Sequence, residues 1–166
     1  MRSKISVVVA IFVVAGWALA SAQAPSLQGA WRVSEIVVTG AGASTNTTPQ
    51  PGLYLFTKNH YSIVTVNGTA ARKDATPPKD AAKLTDAEKL ARYEMWNPFT
   101  ANSGSYEVKG NTLTTKVVVA KNAGFMAAPT PVAREFKIDG KTLTLISKSA
   151  AGQPASETRT KLTRVE

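Results

Sequence analysis

Short runs in which apolar and polar residues alternate recur along most of the chain, separated by Gly, Asn, Asp, Ser and Pro. This is the pattern of half-buried β-strands joined by turns. About eight such segments can be traced, near Gly29–Thr39, Leu53–Thr57, His60–Asn67, Ser103–Val108, Thr112–Ala120, Val132–Ile138, Lys141–Lys148 and Glu157–Val165. Several connections are short, which makes the strands they join antiparallel neighbours. The predicted architecture is all-β: an eight-stranded antiparallel up-and-down barrel with one short helix between strands.

Turn chemistry sets the faces. Asp139-Gly140 reads as a two-residue hairpin turn, because such a turn needs a positive φ that Gly supplies without strain. The register pairs Ile138 with Lys141, Phe136 with Leu143, Arg134 with Leu145 and Val132 with Ser147, all on the inward side. Glu135, Lys137, Thr142 and Thr144 fall on the solvent side, so Arg134 interrupts an otherwise apolar inner face. A turn at Lys58-Asn59 pairs Phe56 with Tyr61 and Tyr54 with Ile63. There Leu53, Leu55 and Val64 make the opposite face apolar too, and the inward side stays open.

Two connections break the meander. Residues 40–52 are rich in Gly, Ser, Thr, Asn and Pro and read as a mobile loop. Residues 68–84, with Pro77-Pro78, lead into a helix from Thr85 to about Trp96, announced by Thr85 and Glu88 at capping-box spacing. Ala87, Leu90, Ala91, Glu94 and Met95 form a weakly apolar stripe that should pack on the barrel exterior or across one end, with Trp96, Pro98 and Phe99 anchoring the exit.

The N-terminus adds a compartment. Arg2 and Lys4, the apolar run Ile5–Leu19 and the small residues Ala20-Ser21-Ala22 describe a secretory signal peptide over residues 1–22, and the apolar run is shorter than the ~20 residues that span a bilayer. The reading is a secreted or periplasmic protein whose domain covers residues 23–166. The chain has no cysteine, so no disulfide supports that domain. Its stability must come from its core, and this length suffices for one domain burying about two-thirds of its unfolded surface. Loss of Arg2 and Lys4 lowers the net charge from +9 to +7, which favours attraction to anionic surfaces or ligands.

Three stretches carry a family resemblance: Leu27–Ser34, which contains the Gly29-Ala30-Trp31 opening of the first strand, Pro51–Ser62, and Pro98–Val108. Together they resemble the bacterial lipocalin-like domain family of small calycin-type barrels. The resemblance implies an eight-stranded antiparallel barrel with a ligand cavity. It also implies that the Gly-x-Trp tryptophan packs at the closed end against an arginine near the last strand, which here gives Gly29, Trp31 and Arg164 a structural role. A guanidinium over an indole is worth about 0.5–2 kcal/mol. The lack of disulfides and the helix between strands depart from the extracellular lipocalins.

Candidate chemistry is sparse. With strict period two, Glu35 shares the face of Trp31 and Val33, so Glu35 and Arg134 both project inward. Buried opposite charges must pair or bind something charged. The functional reading makes them polar anchors for a ligand head group, with Tyr54, Phe56, Tyr61 and Phe136 as apolar wall. The structural readings are an ion pair, or a bulge that turns Glu35 outward. His60 is the sole histidine, so neither a zinc site nor a Ser-His-Asp arrangement can be assembled, and no metal or cofactor is called for. Asp86 and Glu88 serve the helix dipole. Arg72, Lys73, Lys79 and Lys83 cluster in the long loop without interleaved aromatics, which reads as a solvated basic surface with no nucleic-acid partner.

These residues therefore describe a binding module for a small apolar or amphipathic molecule in the barrel lumen, with no transmembrane segment in the mature form. Two alternatives remain open. One is a barrel enzyme of isomerase or cyclase type that uses Glu35 as acid/base. The other is a barrel filled by its own side chains that acts through its surface on a protein or envelope partner.

Overall fold

The computed structural model describes residues 26–72, 77, 78, 80, 82–127 and 130–166. The leader at 1–22 and the loop cations Lys73 and Lys79 lie outside them. Among the described residues nine strands and two helices follow in chain order: β1 (Gly29–Gly40), β2 (Ser44–Asn46), β3 (Gly52–Phe56), β4 (His60–Val66), α1 (Asp86–Trp96), β5 (Phe99–Lys109), β6 (Thr112–Ala120), α2 (Gly124–Ala127), β7 (Val132–Asp139), β8 (Thr142–Lys148) and β9 (Ser156–Arg164). Eight of the strands, β1 and β3 to β9, pair antiparallel with their neighbours, and β9 returns to β1 to close the barrel. β2 is an appendage: within the stretch expected to be a mobile loop, it pairs with β1 at Ile36, Val37 and Val38.

The inward face at the β3–β4 turn is settled by burial. Phe56 faces Tyr61 and Tyr54 faces Ile63. Phe56, Tyr61 and Ile63 are buried, whereas Leu53, Leu55 and Val64 lie outside. The β7–β8 turn falls one residue later than Asp139-Gly140 suggests. Asp139 pairs with Thr142, Ile138 with Leu143 and Phe136 with Leu145, which leaves Gly140-Lys141 as the loop. Gly140 has φ +55 and is the only loop residue with positive φ, the type II′ pattern. The ladder slides by two residues, an even shift, so every side chain keeps its face. Arg134, Phe136 and Ile138 still share a face with Leu143, Leu145 and Ser147.

One end of the barrel is sealed. Trp31, Leu113, Leu143 and Leu162 are fully buried there, joined by Phe56, Tyr61 and Leu145. Burial of each of these large side chains contributes about 1.5–3 kcal/mol. The Trp31 indole Nε1 donates to Leu27 O (2.8 Å), and the Arg164 guanidinium lies 4.1 Å from the centre of its ring. Arg164 is held in turn by the carbonyls of Gln28 (2.6 Å) and Ser26. Gly29 is required at this junction. Its φ is +126, and a Cβ there would sit 2.7 Å from Arg164 Nη1 and 2.5 Å from Glu166 O.

The other end is open. β6 pairs with β7 only from Thr112 to Thr115, and its remaining residues to Ala120 are paired with β5 alone. α1 and α2 lie in the connections at this end. α1 carries a complete capping box: Glu88 N donates to Thr85 Oγ1 (3.3 Å), and Thr85 N donates to Glu88 Oε2 (2.8 Å). These bonds hold the Glu88 carboxyl below its usual range. The apolar stripe does not seat the helix on the barrel as expected, because none of its residues is buried and Leu90, Tyr93 and Trp96 are exposed. Two of the stripe positions are alanines, which offer little area to bury. The helix is tied instead at its C-terminal end, where Lys121 Nζ donates to the carbonyls of Trp96 and Asn97 and Trp96 meets Phe99 edge-on at 5.6 Å. A cation there complements the helix dipole.

Candidate functional site

The strand register divides the inner wall into two halves. Around Trp31 the inward side chains are sealed from solvent. Toward the open end Ile36, Tyr54, Thr65, Thr158 and Thr160 are only half-buried, and they line a cavity of about 440 Å³ with Val33 at its floor. Asn46, Gln50 and the Asn67–Thr69 segment form its rim. A volume of this size matches small-molecule sites.

Glu35 does not face this cavity. β1 carries a bulge between Val33 and Glu35, where the register against β9 shifts by one residue. Beyond the bulge Ile36 takes the inward position opposite Thr160, and Glu35 pairs with Lys161 at 2.9 Å on the outer side. Strict period two along β1 is thereby corrected: an extra residue reverses the alternation. Glu35 and Arg134 form no ion pair with each other.

Arg134 occupies an inward position on β7, beside Leu113 of β6. It is half-buried, its Nε donates to Ser147 Oγ (3.2 Å), and no carboxylate among the described residues lies within 4.0 Å of it. Its charge acts on two phenols. Burial pushes Tyr54 above its ordinary value, and the Arg134 charge opposes that rise. Burial also raises Tyr61, against the neighbouring Thr115 hydroxyl and Arg134. Both phenols are therefore neutral hydroxyl donors at ordinary pH. Tyr61 is 3% exposed, and its hydroxyl has no partner among the described residues, while Thr115 Oγ1 donates to Val132 O instead (3.3 Å).

The remaining expected wall residues sit elsewhere. Phe56 belongs to the sealed core and meets Tyr106 edge-on at 5.4 Å. Phe136 packs against that core toward the closed end. Tyr61 belongs to the buried core, and neither it nor Arg134 lines the cavity. The wall thus consists of Tyr54 with residues the pattern did not single out, Ile36, Thr65, Thr158 and Thr160. The signal was available for the last two, since period two carries the inward face of Leu162 back to Thr160 and Thr158. Threonine reads as solvent-facing unless a neighbour's burial says otherwise.

A buried hydroxyl without a partner costs about 1–3 kcal/mol. Tyr61→Phe keeps the ring and removes that cost, so the empty protein should gain about 1 kcal/mol, read as a higher urea midpoint. A loss of stability of that size would show that the hydroxyl is satisfied.

No family model matches the chain. No curated protein matches it either. In shape the chain is similar to the crystal structure of an uncharacterized protein from Bacteroides eggerthii, with 11% identity over 84% of this chain and 99% of that one and a TM-score of 0.45.

Proposed function

We propose that this chain is an exported, lipocalin-like binding barrel that takes one small, partly apolar molecule into the open half of its lumen. The observation that carries this reading is the contrast within one wall. At the closed end Trp31, Leu143 and Leu162 have no solvent exposure, while the inward residues of the open half surround about 440 Å³. A barrel filled by its own side chains would leave no such space, so this observation favours binding over action through the surface alone. The acid/base reading is weakened because Glu35 is engaged by Lys161 on the outer side. The export part of the reading rests on the leader at residues 1–22.

The neutral dye N-phenyl-1-naphthylamine is a direct probe, since it brightens on entering an apolar site. The protein should enhance its fluorescence saturably. Thr160→Phe, which fills the cavity from β9, should weaken dye binding at least tenfold while leaving the β-sheet circular dichroism and cooperative melting in place. Thr158→Phe, nearer the mouth, serves the same purpose if the first variant does not fold. Unchanged dye binding in a folded, plugged variant would defeat the lumen reading.

A further inference from the structure

We infer that the molecule taken up is uncharged, with hydroxyl or carbonyl oxygens along one edge and hydrocarbon along the other. Its oxygens meet Thr158 and Thr160 of β9, and its hydrocarbon meets Val33 and Ile36 of β1. This rests on the open half of the lumen being the ligand site, and adds the ligand's class and its orientation across the cavity.

The first observation is a cavity without charge. Among the fifteen residues that line it there is no Asp, Glu, Lys, Arg or His. Strand geometry brings this about. On β9, Glu157, Arg159 and Lys161 alternate with Thr158, Thr160 and Leu162, so period two sends the three charges outward and the threonines inward. On the outer side Glu157 pairs with Arg159 (2.7 Å) and Lys161 with Glu35 (2.9 Å). The bulge after Val33 brings Glu35 to that side and gives its inward place to Ile36. An ion drawn into this space would lose water and meet no opposite charge. An uncharged molecule escapes that penalty.

The second observation is a set of uncommitted hydroxyls. Elsewhere in the barrel threonine hydroxyls donate to backbone carbonyls, Thr57 to His60 O at 3.2 Å and Thr115 to Val132 O at 3.3 Å. In the cavity wall the hydroxyls of Thr65, Thr158, Thr160 and Tyr54 have no hydrogen-bond partner among the described residues. The amides of the rim are already used: Gln50 Nε2 donates to Ala70 O (3.0 Å), Asn67 Nδ2 donates to Thr100 Oγ1 (2.7 Å), and Asn46 Oδ1 accepts from Thr48 N (3.1 Å). Recognition therefore falls to the wall. A hydroxyl both donates and accepts, so it suits alcohols and carbonyls alike.

The third observation is their arrangement. Thr160 stands directly opposite Ile36 in the β1–β9 ladder, and Thr158 follows two residues along β9, about 7 Å away by strand rise. A strip of hydroxyls on β9 thus runs beside a strip of hydrocarbon on β1. A ligand with one oxygenated edge and one apolar edge matches both.

The test is displacement of N-phenyl-1-naphthylamine at neutral pH by four compounds of one skeleton: 3-phenyl-1-propanol, 3-phenylpropanoate, 3-phenylpropylammonium and propylbenzene. The alcohol should displace the dye at a concentration at least tenfold below either ion and at least threefold below the hydrocarbon. The acid is the demanding competitor, because the chain's net charge of +9 attracts anions to its surface. Thr160→Val replaces a hydroxyl by a methyl group of the same shape. It should weaken the alcohol at least threefold and leave propylbenzene no weaker, whereas Thr160→Ser should keep the alcohol's advantage. Thr158→Val serves in its place if the first variant does not fold. An acid or ammonium that displaces the dye as well as the alcohol overturns the inference and leaves the lumen reading standing. An alcohol unaffected by both valine variants, or no better than propylbenzene, overturns the role of the β9 hydroxyls. A protein that binds no dye at all defeats the lumen reading, and this inference with it.

Discussion

Trp31→Ala should cost about 3–5 kcal/mol, the largest loss expected of any single truncation in this barrel. Trp31 has no solvent exposure, and it joins three structures that otherwise meet only at the closed end. Its indole N–H is bonded to Leu27 O in the segment that precedes the barrel, its backbone pairs with Tyr54 of β3 and Arg164 of β9, and its ring lies under the Arg164 guanidinium. Alanine leaves a cavity the size of an indole, an unpaired Leu27 carbonyl and a guanidinium without its ring. A domain of this size holds about 5–15 kcal/mol in all. The variant should therefore unfold at much lower urea, with an unchanged dependence on denaturant if the native state stays compact. A loss below about 1 kcal/mol would mean that the closed end does not depend on Trp31.

Gly104→Ala should cost about 3 kcal/mol, the upper end of the range for forced overpacking. Gly104 is buried on β5 opposite Tyr61, beside the bulge at which the β5–β6 register shifts. An added Cβ would collide with the Lys116 carbonyl and lie 3.0 Å from Val117 Cα. Both are backbone atoms, so no side chain can swing away, and relief requires parting the β5–β6 ladder at its bulge. Thermal unfolding should fall by several degrees, and amide exchange should rise along Ser103–Val117. An unperturbed melting point would show that the bulge can absorb a methyl group.

The two bulges mark where local pattern loses its authority. Along β3 and β4 the turn at Lys58-Asn59 fixes the pairing of Phe56 with Tyr61, because a two-residue loop admits one register. At β7 and β8 the turn moved by one residue, yet Arg134 stayed inward because the resulting ladder shift was even. β1 is different. It must pair with β3 on one side and β9 on the other, and the extra residue between Val33 and Glu35 reconciles the two ladders. Nothing in the local alternation of β1 reports the demands of a strand more than a hundred residues away. Glu35 consequently moved from a ligand anchor to an outer ion pair with Lys161.

The candidate site followed the same division. Arg134 was legible as a lone charge on an apolar face. The orphaned hydroxyl of Tyr61 was not, since a missing partner is a property of everything that surrounds the group. Thr158 and Thr160 were hidden because a hydroxyl at a half-exposed inward position looks the same in sequence as one facing water. Phe56 and Phe136 were assigned to the wall from their face alone, and their depth along the barrel axis placed them in the sealed end.

Period and turn chemistry by themselves determined the strands, most of their faces and the antiparallel barrel, because these depend on residues within a few positions of one another. The tertiary structure alone decided which end is sealed, where each strand admits a bulge, and that Glu35 lies outside the open cavity. Those outcomes depend on closing the first strand against the last, a constraint that acts only once the whole barrel is assembled.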